Sequence, residues 1–462
     1  MATRFWVGGT GTWDAADTTH WAASSNGAGG QSVPGAGDTV TFDGSSGGGT
    51  VTVNVNFSVT SVTMGAFTGT LTFATNNNSP TMATFSCSGT GARTLAMGSG
   101  TWTLTGTGTV WDTSTATNLT LTKGTATIAI TTDTASSRTV TCASVEVNNI
   151  TVSAGSGSLN LVNVICANLT LTGFVGSWER PTGANISLKG NLVLGSGMTV
   201  VGGGLNLITF SGTSGTQTLT SNGVDLNRRL VIDGVGGTLQ LVDALLIADS
   251  GITSDILLTN GTFNANNQNV TVGQVSSNNS NTRVLTMGSG TWTITGSGNV
   301  WNLATITGLT FNKNTANIKF TDTTNTASTF AGGGLTYNNV WFSRGASTAT
   351  NTITGANTYA DFKDDGSEAH TIVFPNATST FTSFTVNGSA GKLITLARTG
   401  GSGTFTLDLT GGGRVDVNYI SVSNSAATPA STWFAGINST NGGSNTGWVF
   451  NTPFATSFFA LF

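Results

Sequence analysis

Charge is what this sequence has least of. Asp, Glu, Lys and Arg together make up 8% of its 462 residues, against about 25% in an average soluble protein. A net charge of -4 offers no basic field to phosphates, which argues against nucleic acid as a partner. Proline is scarce as well, at six residues, so few segments are barred from pairing along both edges of a sheet. Three cysteines, Cys87, Cys142 and Cys166, cannot form a disulfide framework; they are expected to be buried as small apolar residues. With two histidines, His20 and His370, no His/Cys spacing suits zinc, and no cofactor is expected. His20 lies among tryptophans and reads as a packed residue. No apolar run reaches the roughly 18 residues of a membrane-spanning helix, so no membrane span is expected. The start, Met1-Ala2-Thr3-Arg4-Phe5-Trp6, lacks the charged and then apolar pattern of a secretion signal. These features lead to the expectation of a protein made in a host cytoplasm without a signal peptide and released by lysis.

What is abundant is glycine, at 64 residues, together with Thr, Val, Asn and aromatics. Low charge and much glycine can mean disorder, but disorder goes with high net charge and few β-branched or aromatic residues. Here apolar residues alternate with Thr, Ser or Asn in short runs such as Thr101-Trp102-Thr103-Leu104-Thr105 and Asn118-Leu119-Thr120-Leu121-Thr122. Each run ends in Gly, Asn or Ser, the period-two signature of strands bounded by turns. Strings such as Gly202-Gly203-Gly204 and Gly332-Gly333-Gly334 read as turns, since no helix follows to hold a phosphate.

The runs recur. Val140-Thr141-Cys142-Ala143 aligns with Val164-Ile165-Cys166-Ala167, and Asn168-Leu169-Thr170-Leu171 with Asn191-Leu192-Val193-Leu194, giving a period of about 24 residues, the length of a solenoid coil. A longer repeat overlies it. Met97-Gly98-Ser99-Gly100-Thr101-Trp102 returns as Met287-Gly288-Ser289-Gly290-Thr291-Trp292, and the match extends over about 71–150 and 261–340. Stacking is required energetically. Ordering a coil costs on the order of 1–2 kcal/mol per residue, each buried aliphatic side chain returns about 1.5–3 kcal/mol, and only neighbouring coils can cover both faces of each layer. The predicted fold is all-β, a parallel β-helix of roughly 15 such coils.

Four segments are expected: an aromatic N-terminal cap over 1–45 with Trp6, Trp13 and Trp21; the solenoid over 46–415; terminal coils and cap over 416–451 with Trp433 and Trp448; and an apolar tail over 452–462. Within the tail, Phe454, Phe458, Phe459, Leu461 and Phe462 are candidates for docking onto a partner, because such residues are poorly suited to hang in water.

Phe5-Trp6-Val7-Gly8-Gly9-Thr10-Gly11-Thr12-Trp13-Asp14, then His20-Trp21 and Gly37-Asp38-Thr39-Val40-Thr41-Phe42-Asp43, resemble the start of phage and bacterial β-helix proteins of the virion-appendage type. Tyr419-Ile420-Ser421-Val422-Ser423-Asn424-Ser425, Trp433-Phe434-Ala435-Gly436 and Asn445-Thr446-Gly447-Trp448 resemble their ends. The resemblance implies a right-handed parallel β-helix in a tail fibre, head fibre or similar appendage. The partners expected with it are other virion proteins, further copies of the chain, with a trimer as one option, and a host-surface glycan. The resemblance supplies no catalytic residues.

Chemistry is thinly signalled. Asp361, Asp364, Asp365 and Glu368 form the one acidic cluster, followed by His370. It reads first as a solvated turn, with a calcium site or a glycosidase carboxylate pair as the lesser alternatives. The expectation is therefore a non-enzymatic structural and adhesive appendage. A polysaccharide-degrading tailspike and a secreted bacterial β-helix adhesin are the alternatives.

Overall fold

A computed structural model describes residues 1–179, 181, 184–201, 207–248 and 255–450. No helix is present among them, and the strands stack in about 18 parallel turns of close to 22 residues, a β-solenoid. The coils are slightly shorter and more numerous than the 24-residue period suggests. Along one column, Thr101 pairs with Thr127, Thr127 with Asn149 and Asn149 with Asn168, so successive partners are 26, 22 and 19 residues apart. Turns absorb the variation while the strands stay in register.

The chain divides into two units, Met1–Arg228 and Arg229–Phe462. In the first, Trp102, Ile128, Ile150, Leu169, Leu192 and Leu219 belong to one inward column and are all buried. Its start differs from the rest. Thr3–Trp6 pairs antiparallel with Trp21–Ala22 and parallel with Thr39–Phe42. The edges of Trp6 and Trp13 meet the ring of Trp21 at centroid distances of 5.1 and 5.0 Å, and all three tryptophans are buried. Aromatic area covers the first described coil.

In the second unit a nine-stranded sheet carries Val270, Trp292, Ile318, Val340, Phe362 and Phe384 in one inward column. Register places like rings over one another, as in Phe320–Phe342 at 4.7 Å and Phe362–Phe384 at 5.5 Å, both stacked. Such pairs add about 0.5–1.5 kcal/mol each beyond the area they bury.

The repeated Met-Gly-Ser-Gly-Thr-Trp segment is a turn built twice. Gly98 and Gly288 sit at φ 73° and 72°, where a side chain is strained. A Cβ on Gly100 or Gly290 would lie 2.1 Å from the carbonyl oxygen of Asn78 or Gln268 in the coil below. The indole Nε1 of Trp102 donates to Met97 O at 3.3 Å and that of Trp292 to Met287 O at 3.2 Å. The motif recurs because the turn leaves no room for another residue.

Candidate functional site

Strand alternation decides what the nine-stranded sheet presents outward. Between the inward residues of Asn317–Phe320, Thr336–Phe342 and Thr358–Asp364, in-register pairing aligns two outward columns. One runs Thr293, Lys319, Trp341, Lys363, Thr385. The other runs Thr291, Asn317, Asn339, Asp361, Ser383. Neighbouring strands are about 4.8 Å apart, so side chains in one column touch.

The Trp341 ring is therefore flanked by a lysine from the coil on each side. The ammonium of Lys319 lies 3.9 Å and that of Lys363 4.2 Å from the ring centroid, well inside the range of a cation–π contact. Its Nε1 is shielded and has no hydrogen-bond partner, so the lysines rather than a hydrogen bond hold the indole. In the adjoining column Asn339 Nδ2 donates to Asn317 Oδ1 at 2.6 Å. The two columns border an open cleft of about 450 Å³. Chemically it combines an aromatic surface, two cations, one carboxylate and two amides.

The first unit carries the equivalent cleft, of about 240 Å³, lined by Thr127, Asn149, Thr151, Asn168 and Thr170 among others. Its amides ladder in the same way, Asn168 Nδ2 donating to Asn149 Oδ1 at 2.9 Å. It holds neither tryptophan nor charge.

The acidic segment is only in part the solvated turn expected of it: residues 365–369 form a loop in which Asp365 is exposed. Asp361 and Asp364 lie within the strand Thr358–Asp364, and the four carboxylates go to different places. Asp361 borders the Trp341 cleft. Asp365 lies 3.8 Å from Lys363 and Glu368 pairs with Lys392. Asp364 points inward, occupying a position between Phe342 and Val386 in an otherwise apolar column. Its carboxylate meets His370 Nε2 at 3.0 Å, and His370 Nδ1 meets Glu368 O at 2.8 Å. Burial alone would push the His370 pKa down; the bond to Asp364 outweighs it, and the imidazole titrates above its ordinary value. Among the described residues no three side chains of metal-ligating type converge.

Several arginines are interior rather than solvated. Arg93 Nε donates to Cys87 Sγ at 3.2 Å, and its other nitrogens reach the carbonyls of Cys87, Gly91, Thr115 and Thr117. Arg283 repeats this, with Nε on Ser277 Oγ at 2.6 Å and further bonds to the carbonyls of Ser277, Asn281, Thr305 and Thr307. Each guanidinium ties together the turns of two successive coils. Cys87 thus serves as an acceptor that serine supplies in the other copy. The three thiols are free and buried, and burial pushes Cys142 up to about 12, which leaves it inert as a nucleophile. His20 stacks on Trp6 at 4.6 Å with Nδ1 2.8 Å from Val7 O.

Sequence reasoning did not single out Trp341. Val340-Trp341-Phe342 reads as one apolar run, whereas the alternation sends Val340 and Phe342 inward and leaves Trp341 outside. The signal was in the long repeat, which sets Trp341 against Thr151. The docking candidates Phe454, Phe458, Phe459, Leu461 and Phe462 lie outside the described residues. No family model, curated protein or solved structure matches the chain, so its function is read from this geometry and from the sequence.

Proposed function

We propose that the protein is a structural and adhesive appendage of a bacteriophage virion, of tail-fibre, head-fibre or decoration type, that contacts a host-surface glycan through the outward faces of its coils. The observation that carries the adhesive part is the Trp341 cleft. An indole set on the solvent side of a sheet, beside laddered amides, contributes little to the core and offers a sugar both an apolar surface and hydrogen bonds. The virion setting, the oligomer and attachment through 452–462 rest on the sequence: the resemblance at both chain ends, and the apolar tail.

The tailspike alternative requires two carboxylates facing each other across a groove, about 5–10 Å apart. The cleft is bordered by the single carboxylate Asp361, while Asp364 is turned into the core. The reading is tested by incubating the purified protein with host cells and with their capsule or lipopolysaccharide. Retention on the surface without release of reducing ends is expected. Release of sugar would move the protein to the tailspike class, and failure to bind any surface would overturn adhesion. Immunogold labelling of purified particles tests the setting, and deletion of residues 452–462 should abolish incorporation into them.

A further inference from the structure

We infer that the Lys319–Trp341–Lys363 column binds an acidic polysaccharide, with a carboxylate of the glycan taken between the two ammoniums and its sugar rings laid against the indole edge and the Asn317, Asn339 and Asp361 column. The inference rests on the adhesive reading and specifies its ligand.

The charge is uncommitted. Lys123 and Lys189 both clasp Glu146, and Lys392 pairs with Glu368. Among the described residues Lys319 has no carboxylate partner; the Trp341 ring is its neighbour. Lys363 has one, Asp365 at 3.8 Å, with both side chains more than a third exposed, a pairing that contributes little in water. Two ammoniums held within 4.2 Å of one ring centroid form a preorganised cationic spot on a surface where Thr, Asn and Ser predominate. An anionic group arriving there displaces only the exposed Asp365 pairing of Lys363, sits beside the Asp361 carboxylate, and makes charge-assisted hydrogen bonds to the ammoniums.

The polar partners suit a sugar rather than a bare anion. The bond from Asn339 to Asn317 uses one amide hydrogen and one amide oxygen. It leaves the Asn317 amino group and the Asn339 oxygen to face ligand hydroxyls, and Asp361 supplies a further acceptor in the same column. The columns run across successive strands, so a linear chain meets a new pair of side chains about every 4.8 Å. A nucleic acid is disfavoured, because two lysines beside a carboxylate are too few cations for a phosphate backbone.

The two copies strengthen the assignment. At the positions of Lys319 and Trp341 the first copy has Ala129 and Thr151, although the strands pair in the same register. Neither the fold nor the amide ladder requires Lys or Trp there, so their presence marks a ligand site and not a packing need.

The test is an array of immobilised acidic glycans, bearing uronate, sialate or pyruvate groups, beside their neutral counterparts, probed with the full chain and with Lys319→Met/Lys363→Met, Trp341→Ala and, as a control in the equivalent cleft of the first unit, Thr151→Ala. Wild type should be retained on one or more acidic glycans at least about tenfold over neutral ones. That margin should vanish in the double lysine variant and in Trp341→Ala, persist in Thr151→Ala, and shrink several-fold between about 50 and 300 mM NaCl as the charges are screened. Unchanged melting of the variants shows that they are folded. Equal capture of acidic and neutral glycans, or full acidic binding by the double variant, overturns the inference. If wild type still adheres to host cells in that event, the adhesive reading stands without it; if wild type adheres to nothing, both fall.

Discussion

The two copies of the long repeat differ in kind on the outward side and mainly in size on the inward side. Inward, Trp102, Ile128 and Ile150 in the first unit correspond to Trp292, Ile318 and Val340 in the second, and all six are buried. Outward, Thr127, Ala129 and Thr151 correspond to Asn317, Lys319 and Trp341. The Met-Gly-Ser-Gly-Thr-Trp turn is retained and the interior stays largely apolar although side chains change, as from Ile130 to Phe320 and from Val140 to Phe330, whereas residues that the backbone merely displays have changed in chemical kind. Each unit also holds a pair of lysines on nearby coils of the stack, with opposite outcomes. Lys123 and Lys189 both bind the carboxylate of Glu146, whereas Lys319 and Lys363 enclose an indole, Lys363 keeping only the exposed pairing with Asp365.

This contrast can be broken or sharpened experimentally. The largest effect is expected at the buried guanidiniums: Arg93→Met or Arg283→Met strands loop carbonyls in the interior and should cost about 3–5 kcal/mol in either copy, read from urea midpoints. A large loss in one copy and none in the other would show that the shared geometry is not a shared function. Next, Trp292→Ala should cost about 3–5 kcal/mol and Trp341→Ala well under about 1 kcal/mol, although both are tryptophans two coils apart in one sheet.

A smaller, pH-dependent effect belongs to the second unit. His370 has a folded pKa raised above 6.5, so the stabilisation from its pair with Asp364 is complete below that value. It is lost as pH rises through the folded pKa. Melting should fall across that interval in wild type, and His370→Gln should flatten the slope. In the first unit Glu146 behaves oppositely. Burial raises its pKa, but the Lys123 and Lys189 contacts outweigh this and hold it below 4.5; its contribution is present above 4.5 and disappears as pH falls through the folded value. Being partly exposed, Glu146→Gln should cost no more than about 1 kcal/mol at neutral pH, and less in high salt. The smallest effect is predicted for Cys87→Ser, which installs the acceptor that Ser277 already provides for Arg283 and should leave the urea midpoint nearly unchanged.

The coil architecture was legible because it depends on local alternation and on self-similarity. Thr101-Trp102-Thr103-Leu104 places Trp102 and Leu104 inside, and the recurrence of that segment implies a stack. Two things were not legible, and for one reason: inward and outward are properties of a strand's register, not of residue type. Asp364 and Arg283 carry charge and lie inside, where a partner compensates for lost hydration. Trp341 is apolar and lies outside, where composition alone would bury it.

Because backbone pairing rather than side-chain fit sets each outward position, the display face behaves as a ruled grid whose rows can be rewritten singly. Changing Thr385 or Thr293 to lysine would lengthen the cationic line by one row without disturbing its neighbours. Such a lattice can acquire a new specificity by point substitution, while its scaffold remains unaware of the change.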